Sequence, residues 1–469
     1  MASPIPQPPG LPLLGNILDV NSNDTWGSFK RLADKYGPIF KVRILGKQIV
    51  VVGSASLAAE VGDEKRFRKK IGLPVFQVLR EAVHDGLFTA YDNEPSWGIA
   101  HRIMVPFVAP SGDELRVKEL QETTSELVTK WASSTGQPQR VHVTEDMKRL
   151  ATQSAMYTFF NQRHNLLDGK GPAIIELLDH ISWEMVKRSN RPTFLTWLFY
   201  NGVYEKQIRE FRKMATDFIA AKRAEDSPKQ DLLQALLTAK DPETGESLNE
   251  ERVIDEIITI AITSATTSGL MAFALYFLLK NPEEMAKARN EIDTVLGSNR
   301  QITAQDLLRL PYLEAVLNET ARLSTAAPGF LVEPVPSDNA GVVTLAGGQY
   351  QIPKNQTVIV LLAAVNRDPD VFDNPEVFRP ERMLGEAYEQ LPPGAKKWFG
   401  NGKRYCYGKR FALQLTMVTV IEVLRNFELQ MADPNYQLKD TGEEIGSFFR
   451  SPVGFFAMAS PRKSPARAE

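Results

Sequence analysis

Apolar side chains recur every three or four residues over long parts of the chain, which is the spacing of one buried helix face. Short runs of β-branched and apolar residues predict strands at Ile39–Ile44, Gln48–Val52 and Thr357–Leu362. Long helices and few strands favour a mainly α fold with a small sheet. The predicted helices are Glu114–Trp131, Lys206–Arg223, Glu250–Leu279, Pro282–Leu296 and Pro311–Leu323.

The most apolar of these helices is uncharged from Ile257 to Leu279. Its length alone would allow it to cross a membrane. Its middle, however, carries a cluster of hydroxyl side chains from Thr263 to Ser268. Such side chains are poor partners for lipid, and they usually line a cavity or bond back to their own helix. We therefore expect this helix to lie buried in the centre of a large domain.

The two irregular parts of the chain lie at its start and in its last third. Met1–Asn16 is a proline-rich lead-in without an apolar core long enough for a signal peptide or a membrane anchor. Pro328–Gly402 is rich in turn signals, and an irregular stretch of this length is usually functional. No shift in composition marks a boundary. The sequence therefore predicts one domain over residues 1–469, in a protein that is cytoplasmic or peripheral at the endoplasmic reticulum.

Composition argues against several classes of protein. The formal net charge is −2, so the chain lacks the basic excess that is typical of nucleic-acid binding. Its single cysteine, Cys406, excludes an internal disulfide and cysteine-rich zinc sites. The five histidines form no His-x-x-x-His pair, which makes a zinc hydrolase a poor interpretation.

The segment around Cys406 carries the strongest chemical signal. It reads Phe-Gly-Asn-Gly-Lys-Arg-Tyr-Cys-Tyr-Gly from Phe399 to Gly408 and precedes a helical run from Lys409. Glycines let backbone amides approach the sulfur, and a helix N-terminus behind it stabilises a thiolate. Arg404 adds a cation for an anionic ligand. These are the features that a thiolate ligand to haem iron needs.

Other interpretations of this cysteine remain open at this point. A lone cysteine is most often a small buried apolar side chain. Gly400-x-Gly402 could be half of a nucleotide-binding fingerprint, but no third glycine follows in a strand–turn–helix context. A nucleophilic cysteine would need a histidine, and none lies near it in sequence, although one could lie near it in space.

Phe399, Gly402, Arg404, Cys406 and Gly408 resemble the haem-binding signature of the cytochrome P450 family. The resemblance implies that Cys406 ligates the iron of haem b and that Arg404, Phe399 and Gly408 belong to the cofactor site. It extends over nearly the whole chain and is closest to the soluble fatty-acid-hydroxylating branch of bacilli and fungal reductase fusions, here without the reductase. The implied fold is mainly α, a helical triangular prism with a small β-sheet subdomain.

Further residues resemble the family's structural network. Glu319 and Arg322 match its Glu-x-x-Arg, and an i,i+3 spacing places both side chains on one helix face. Arg382 matches the arginine that completes a Glu-Arg-Arg network. The implied role is structural, because the network would lock the segment that precedes the cysteine loop.

Trp97 and His101 resemble the C-helix tryptophan and basic residue that reach a haem propionate, with Lys69 as a second candidate cation. Apart from the other motifs, Trp97 reads equally well as core packing. The resemblance therefore adds Trp97, His101 and Lys69 to the residues expected to bind the cofactor.

The central helix departs from the family pattern, in which an acid–alcohol pair assists oxygen activation. Thr266 matches the alcohol, but Ala265 stands in the place of the acid and Thr263 in the place of a usual glycine. The fatty-acid branch also anchors the substrate carboxylate with a basic residue and a tyrosine. Lys47 and Val51 occupy those positions, so only the cation is kept and support for a fatty-acid substrate is incomplete.

The implied function is monooxygenation. The enzyme would use O2 and electrons from a separate NADPH-dependent flavoprotein reductase to hydroxylate or epoxidise a lipophilic small molecule, for example in secondary-metabolite biosynthesis. Cations near the cysteine loop predict a basic docking face for the reductase, formed by Lys396, Lys397, Lys403, Lys409 and Arg410. Apolar residues predict the substrate pocket: Phe88, Phe194, Trp197, Leu198, Phe199, Ile262 and Phe330.

Two other functions stay open. A haem-thiolate lyase or isomerase rearranges an already oxidised substrate and needs neither a reductase nor an acid–alcohol pair, so Ala265 favours it. A non-catalytic haem carrier or gas sensor would bind haem and consume no NADPH with any ligand. Dependence on electrons separates both alternatives from a monooxygenase.

Overall fold

The computed structural model describes residues 2–462 except 22–23, 45, 133–135, 170, 192, 227–228, 298–300, 337–340 and 439–448. The helices are α1 (Thr25–Tyr36), α2 (Ala55–Glu60), α3 (Pro74–Val83), α4 (Ser96–Met104), α5 (Asp113–Trp131), α6 (Val143–Phe160), α7 (Ile174–Asn190), α8 (Thr193–Leu195), α9 (Asn201–Arg223), α10 (Leu232–Thr238), α11 (Glu250–Lys280), α12 (Pro282–Leu296), α13 (Ala304–Leu307), α14 (Pro311–Leu323), α15 (Leu362–Val365), α16 (Gly385–Gln390) and α17 (Lys409–Asn426). The strands are β1 (Ile39–Ile44), β2 (Lys47–Val52), β3 (Phe67–Lys69), β4 (Gln139–His142), β5 (Gly329–Pro334), β6 (Val342–Leu345), β7 (Tyr350–Pro353), β8 (Thr357–Leu361), β9 (Phe427–Met431) and β10 (Phe456–Pro461). The predicted mainly helical fold is confirmed.

Helices α12 and α14 each begin at a proline, and the first residue of each was predicted correctly. Pro282 and Pro311 each occupy the first turn of α12 and α14, where a missing N–H costs no hydrogen bond. Asn281, the residue before α12, does not cap that helix with its side chain. It donates instead to the Phe277 carbonyl at 2.8 Å, so it closes the end of α11.

The larger sheet has the strand order β1-β2-β8-β5-β3, with β2 and β8 parallel and the other pairs antiparallel. Alternation along β2 places Val50 and Val52 in one apolar cluster and Val51 in another. Both faces of the sheet are therefore covered. β4, β10 and β9 form a second sheet, and β6 pairs with β7.

Helix α11 runs through the main core cluster, which gathers residues from Val78 to Ala459. It packs against α6, α9, α14 and α17. Among the described residues it is the one helix long and apolar enough to cross a membrane, yet 83% of its most apolar window is buried in the protein. Its hydropathy is thus accounted for by packing, as the sequence predicted.

Candidate active site

The loop before α17 holds Cys406 in a tight turn. Gly400 and Gly402 have φ angles of 87° and 57°, which L side chains rarely adopt. The Cys406 backbone N–H donates to the Phe399 carbonyl at 2.8 Å and so closes the loop. The backbone N–H groups of Gly408 and Lys409 reach the Cys406 sulfur. The loop and helix start therefore surround the sulfur with donors, as the sequence predicted.

Opposing effects act on the thiol of Cys406. Desolvation by the surrounding protein raises the pKa of this thiol overall, and the Gly408 and Lys409 amides together with the charges of Lys409 and Lys69 oppose the rise. Every group that lowers the pKa also stabilises negative charge on sulfur. The position is thus built to favour a thiolate once a cation binds it.

Cys406 lies on the wall of a cavity of about 650 Å³. The Cys406 thiol is accessible, and the residues of its loop from Phe399 to Gly408 are all half-buried or exposed. The same wall carries Thr259, Thr263 and Thr266 of α11 and strand β5. A volume of this size is in the range of small-molecule and cofactor sites, which is about 300–1,000 Å³.

Cations and an aromatic ring gather at one part of this wall. Arg404 lies 5.0 Å from the Trp97 ring, and Trp97 stacks on His101 at 4.9 Å. Lys69 donates to the Phe88 carbonyl at 2.7 Å, and desolvation and the charge of Arg404 lower its pKa. All five residues line the cavity. The structure therefore brings together the three residues predicted for the propionates with the signature arginine.

Arg404 supplies a direct test of whether an anionic cofactor fits. Its Nη2 donates to the Ala90 carbonyl at 2.6 Å. Its Nη1 is buried and, within the described residues, has no hydrogen-bond partner, since Asp92 Oδ1 lies 3.8 Å away. A buried guanidinium donor without an acceptor is costly. A carboxylate in the cavity would satisfy it, so the residues present fit haem b with its propionates.

Glu319, Arg322 and Arg382 meet in the interior. Arg322 donates through Nε and Nη2 to both oxygens of Glu319 at 2.7 Å, and both side chains are fully buried. Arg382 Nε lies 3.1 Å from Glu319 Oε1 but does not point at it as a hydrogen bond requires. The remaining Arg322 donors reach backbone carbonyls of residues 366–398, the winding segment between α15 and the cysteine loop: Asn366, Pro375 and Val377.

The hydroxyl cluster of α11 bonds largely to its own helix. Thr263 Oγ1 donates to the Ile260 carbonyl at 3.1 Å, and Ser264 Oγ donates to the Ala261 carbonyl at 2.7 Å. Thr266 Oγ1 does the same toward the Thr263 carbonyl at 2.8 Å. Each of these hydroxyls lines the cavity and keeps lone pairs that can accept.

Ala265 does not lie on the cavity wall, and it packs against the main core cluster. One residue along a helix turns a side chain by about 100°, and Ala265 falls on the side of α11 away from the cavity, whereas Ser264 and Thr266 line it. The side chain of an acid at position 265 would therefore leave α11 on the side that faces the core rather than the cavity.

The predicted substrate pocket needs correction. Phe88 and Phe330 lie on the cavity wall. Ile262 does not, because it faces the core and is 2% exposed. The remaining predictions fail because these residues lie on α8 and the short helical segment that follows it, between α7 and α9, with their side chains exposed. They are between 59% and 75% exposed: Phe194, Trp197, Leu198 and Phe199.

The positions aligned with the fatty-acid anchor also lie away from the cavity wall. Val51 is buried in an apolar cluster beside the larger sheet, and Lys47 is exposed at the start of β2. Neither lines the cavity in the described structure.

The cations of the predicted docking face are mostly engaged. Arg410 pairs with Asp113, Lys396 donates to the Tyr388 carbonyl at 3.0 Å, and Lys397 pairs with the side chain of Asn401. Lys409 lies 5.5 Å from the Phe399 and Tyr405 rings. Lys403, whose side chain is half exposed, lies 3.6 Å from Asp92.

Sequence reasoning missed two residues beside the cavity. Thr259 lines it with a hydroxyl that is buried and, among described residues, unpartnered. Glu256, one turn earlier, is fully buried. The spacing of Thr259, Thr263 and Thr266 along one helix face was the available signal.

Comparison with known proteins agrees with this geometry. The cytochrome P450 family matches residues 5–455. A self-sufficient cytochrome P450 monooxygenase of Phanerodontia chrysosporium is 38% identical over 469 residues, covering 99% of this chain and 43% of that protein. A bifunctional cytochrome P450/NADPH–P450 reductase of Aspergillus oryzae is 40% identical over 454 residues, covering 93% of this chain and 40% of that protein.

A bifunctional protein with the same description from Fusarium oxysporum is 38% identical over 445 residues, again covering 93% of this chain. The chain spans about two fifths of the length of these relatives. The family match covers residues 5–455, and that range includes the cysteine loop and the cavity beside it. The chain therefore belongs to the cytochrome P450 family.

Proposed function

We propose that this chain inserts one oxygen atom from O2 into a C–H or C=C bond of a lipophilic small molecule. The observation that carries the proposal is that Cys406 and Thr266 line one cavity, whose wall also includes Phe88 and Phe330. A thiolate ligand, an alcohol and apolar walls are the parts that such a reaction needs. The apolar wall excludes water and orients the substrate through contact rather than charge.

The residues that would hold haem b follow from the wall. Cys406 would ligate the iron, with Phe399 and Gly408 shaping its loop, and Arg404 would bind a propionate. Trp97, His101 and Lys69 would complete the anion-binding side. When bound, the cofactor supplies reductive activation of O2, which electron donation from a thiolate favours.

Glu319, Arg322 and Arg382 would act on the site indirectly. Arg322 and Arg382 together donate to backbone carbonyls at Asn366, Asp373, Pro375 and Val377, which lie in the winding segment before the cysteine loop. We assign them a structural role, because they fix the course of that segment.

An NADPH-dependent flavoprotein would supply the electrons. The relatives from Aspergillus oryzae and Fusarium oxysporum are named as a P450 together with NADPH–P450 reductase, and this supports a flavoprotein of that class as the partner. Lys403 is the cation of the cysteine loop that is best placed to meet an acidic partner, since half of its side chain is exposed.

The test of this function is electron dependence with labelled oxygen. The chain, loaded with haem, is given NADPH, a soluble NADPH–P450 reductase, ¹⁸O2 and an extract of lipophilic metabolites. We expect products that carry one ¹⁸O atom and that disappear when NADPH is left out. Turnover without NADPH and without ¹⁸O incorporation would instead identify a lyase or isomerase, the alternative favoured by Ala265.

Thr266→Ala is expected to leave NADPH consumption partly intact and to divert electrons into hydrogen peroxide. The alcohol at 266 lines the cavity and can accept a hydrogen bond while it donates to the Thr263 carbonyl, so it can hold water or a polar ligand there. Peroxide released per NADPH consumed measures the effect. Ser268→Ala is a matched control, since Ser268 also bonds back to its helix but does not line the cavity. Full coupling in Thr266→Ala would contradict the role.

A further inference from the structure

Helix α11 carries a buried acid, although not at position 265. Glu256 is 0% exposed and lies just before the uncharged part of the helix. Its oxygens accept the Leu87 backbone N–H at 3.0 and 3.2 Å, and one accepts from Arg252 Nη2 at 2.8 Å. Leu87 itself lines the cavity. The carboxyl therefore lies against the back of a cavity-lining turn.

Thr259 lies one helical turn further on and faces the same turn of chain. An ideal Cβ placed on Gly86 would come within 2.7 Å of Thr259 Oγ1, so this hydroxyl lies against the backbone next to Leu87. Thr259 is 7% exposed, and among the described residues its hydroxyl has no hydrogen-bond partner. Because Glu256 and Thr259 are three residues apart, they share a helix face. Both thus converge on Gly86 and Leu87.

The stripe continues toward Thr266. Thr259, Thr263 and Thr266 follow one another at spacings of four and three residues, and all three line the cavity. Neighbouring side chains at these spacings lie about 5–6 Å apart, which is the gap that one water molecule bridges. Glu256 to Thr266 spans about 15 Å along the helix, at 1.5 Å for each residue.

We propose that Glu256 is the acid that supplies protons to the cavity through the hydroxyl of Thr259, in place of the acid missing at position 265. This inference rests on the monooxygenase function proposed above. Glu256 gives its proton to a water at Thr259, and each hydroxyl or water in the file accepts one proton and passes another on. The carboxylate is then reprotonated from solvent on the side of Asp85, whose side chain is 29% exposed.

The charges around Glu256 suit an acid that must gain and lose a proton. Burial raises its pKa to about 7, helped by Asp255 and Asp85 and opposed by Arg252 and the Leu87 amide. Burial raises the pKa of Tyr407 in the cysteine loop, and the charge of Glu256 adds a smaller rise. A carboxyl that titrates near neutrality is matched to proton transfer, whereas an ordinary glutamate holds its proton too weakly.

A purely structural role for Glu256 would also explain its hydrogen bonds to Leu87 and Arg252. The protonation of its carboxyl must therefore be measured directly, because a structural role does not predict a change in it. Infrared spectra of the haem-loaded protein with bound CO, before and after photolysis, report carboxyl groups that sense the cavity. We expect a protonated-carboxyl band that disappears in Glu256→Gln and shifts in Thr259→Val. Thr259→Ser, which keeps the hydroxyl, should leave the band in place. Absence of a Glu256 band below pH 7, or a band that ignores Thr259→Val, would overturn the proposal.

Turnover supplies the second arm. With reductase and NADPH, peroxide released per NADPH should rise in Glu256→Gln and Thr259→Val, because loss of a positioned general acid slows proton delivery by about 10²–10⁴-fold. It should not change in Ser268→Ala. Unchanged coupling in both variants would reject the relay. If the wild-type protein consumes no NADPH at all, the proposed monooxygenase function fails, while the infrared assignment of Glu256 still stands or falls separately.

Discussion

Cys406→His is expected to move the absorption of the ferrous–CO complex from the red-shifted Soret band of a thiolate ligand toward a globin-like position. The Cys406 side chain is accessible from the cavity, so an imidazole has room to reach the same metal. A neutral nitrogen ligand donates less charge than a thiolate, and oxygen activation depends on that donation. We expect product formation to fall by more than about 100-fold, the upper end of the losses caused by changing groups that merely support a metal ligand.

The comparison needs a variant that separates loss of ligand from loss of fold. Cys406→Ser keeps the size of the side chain and the hydrogen-bonded loop, in which the backbone N–H of residue 406 meets the Phe399 carbonyl. It should fold as the wild type does, as judged by circular dichroism, and it should bind haem weakly. A thiolate-type band that persists in Cys406→His would show that the iron is held elsewhere.

Local sequence was sufficient for the cysteine loop and for the helices that proline starts. The loop is built from neighbours in sequence, since Gly400, Gly402 and Phe399 all act on Cys406 within eight residues. Pro282 and Pro311 fix helix starts through backbone geometry alone. Such features need no knowledge of distant parts of the chain.

Features that depend on the neighbours of a helix were beyond prediction. The threonine spacing marks a helix face but not what that face contacts, so the sequence could not show that Thr259 faces the cavity and Ile262 the core. Buried Glu256 accepts a hydrogen bond from the backbone N–H of Leu87, which is distant in sequence. The apolar run around Trp197 resembles a pocket wall in sequence, but nothing in the described structure covers it.

Arg322→Ala is expected to lower the free energy of unfolding by about 3–5 kcal/mol, the usual cost of leaving a buried charge without its partner. Arg322 and Glu319 are both fully buried, so the variant would remove the aligned charged partner of the Glu319 carboxylate and leave it with the Arg379 backbone N–H and the unaligned Arg382. It would also remove the donors to the Asn366 and Pro375 carbonyls, which lie 2.9 and 2.7 Å from the guanidinium. Denaturant unfolding followed by circular dichroism measures the loss, and haem content reports its effect on the cysteine loop.

The loss of unfolding free energy in Arg322→Ala is best judged against arginines that form weaker or more exposed contacts. Arg309 and Asp306 are also three residues apart, but Arg309 is 56% exposed and its closest approach is 3.7 Å, so Arg309→Ala should cost less than about 1 kcal/mol. Arg382→Ala should fall between the two, because Arg382 bonds to backbone carbonyls but does not point its Nε at Glu319. If Arg322→Ala cost no more than Arg309→Ala, the buried network would not hold the winding segment. An Arg322→Ala protein with unchanged haem content would separate the stability of that segment from the geometry of the cysteine loop.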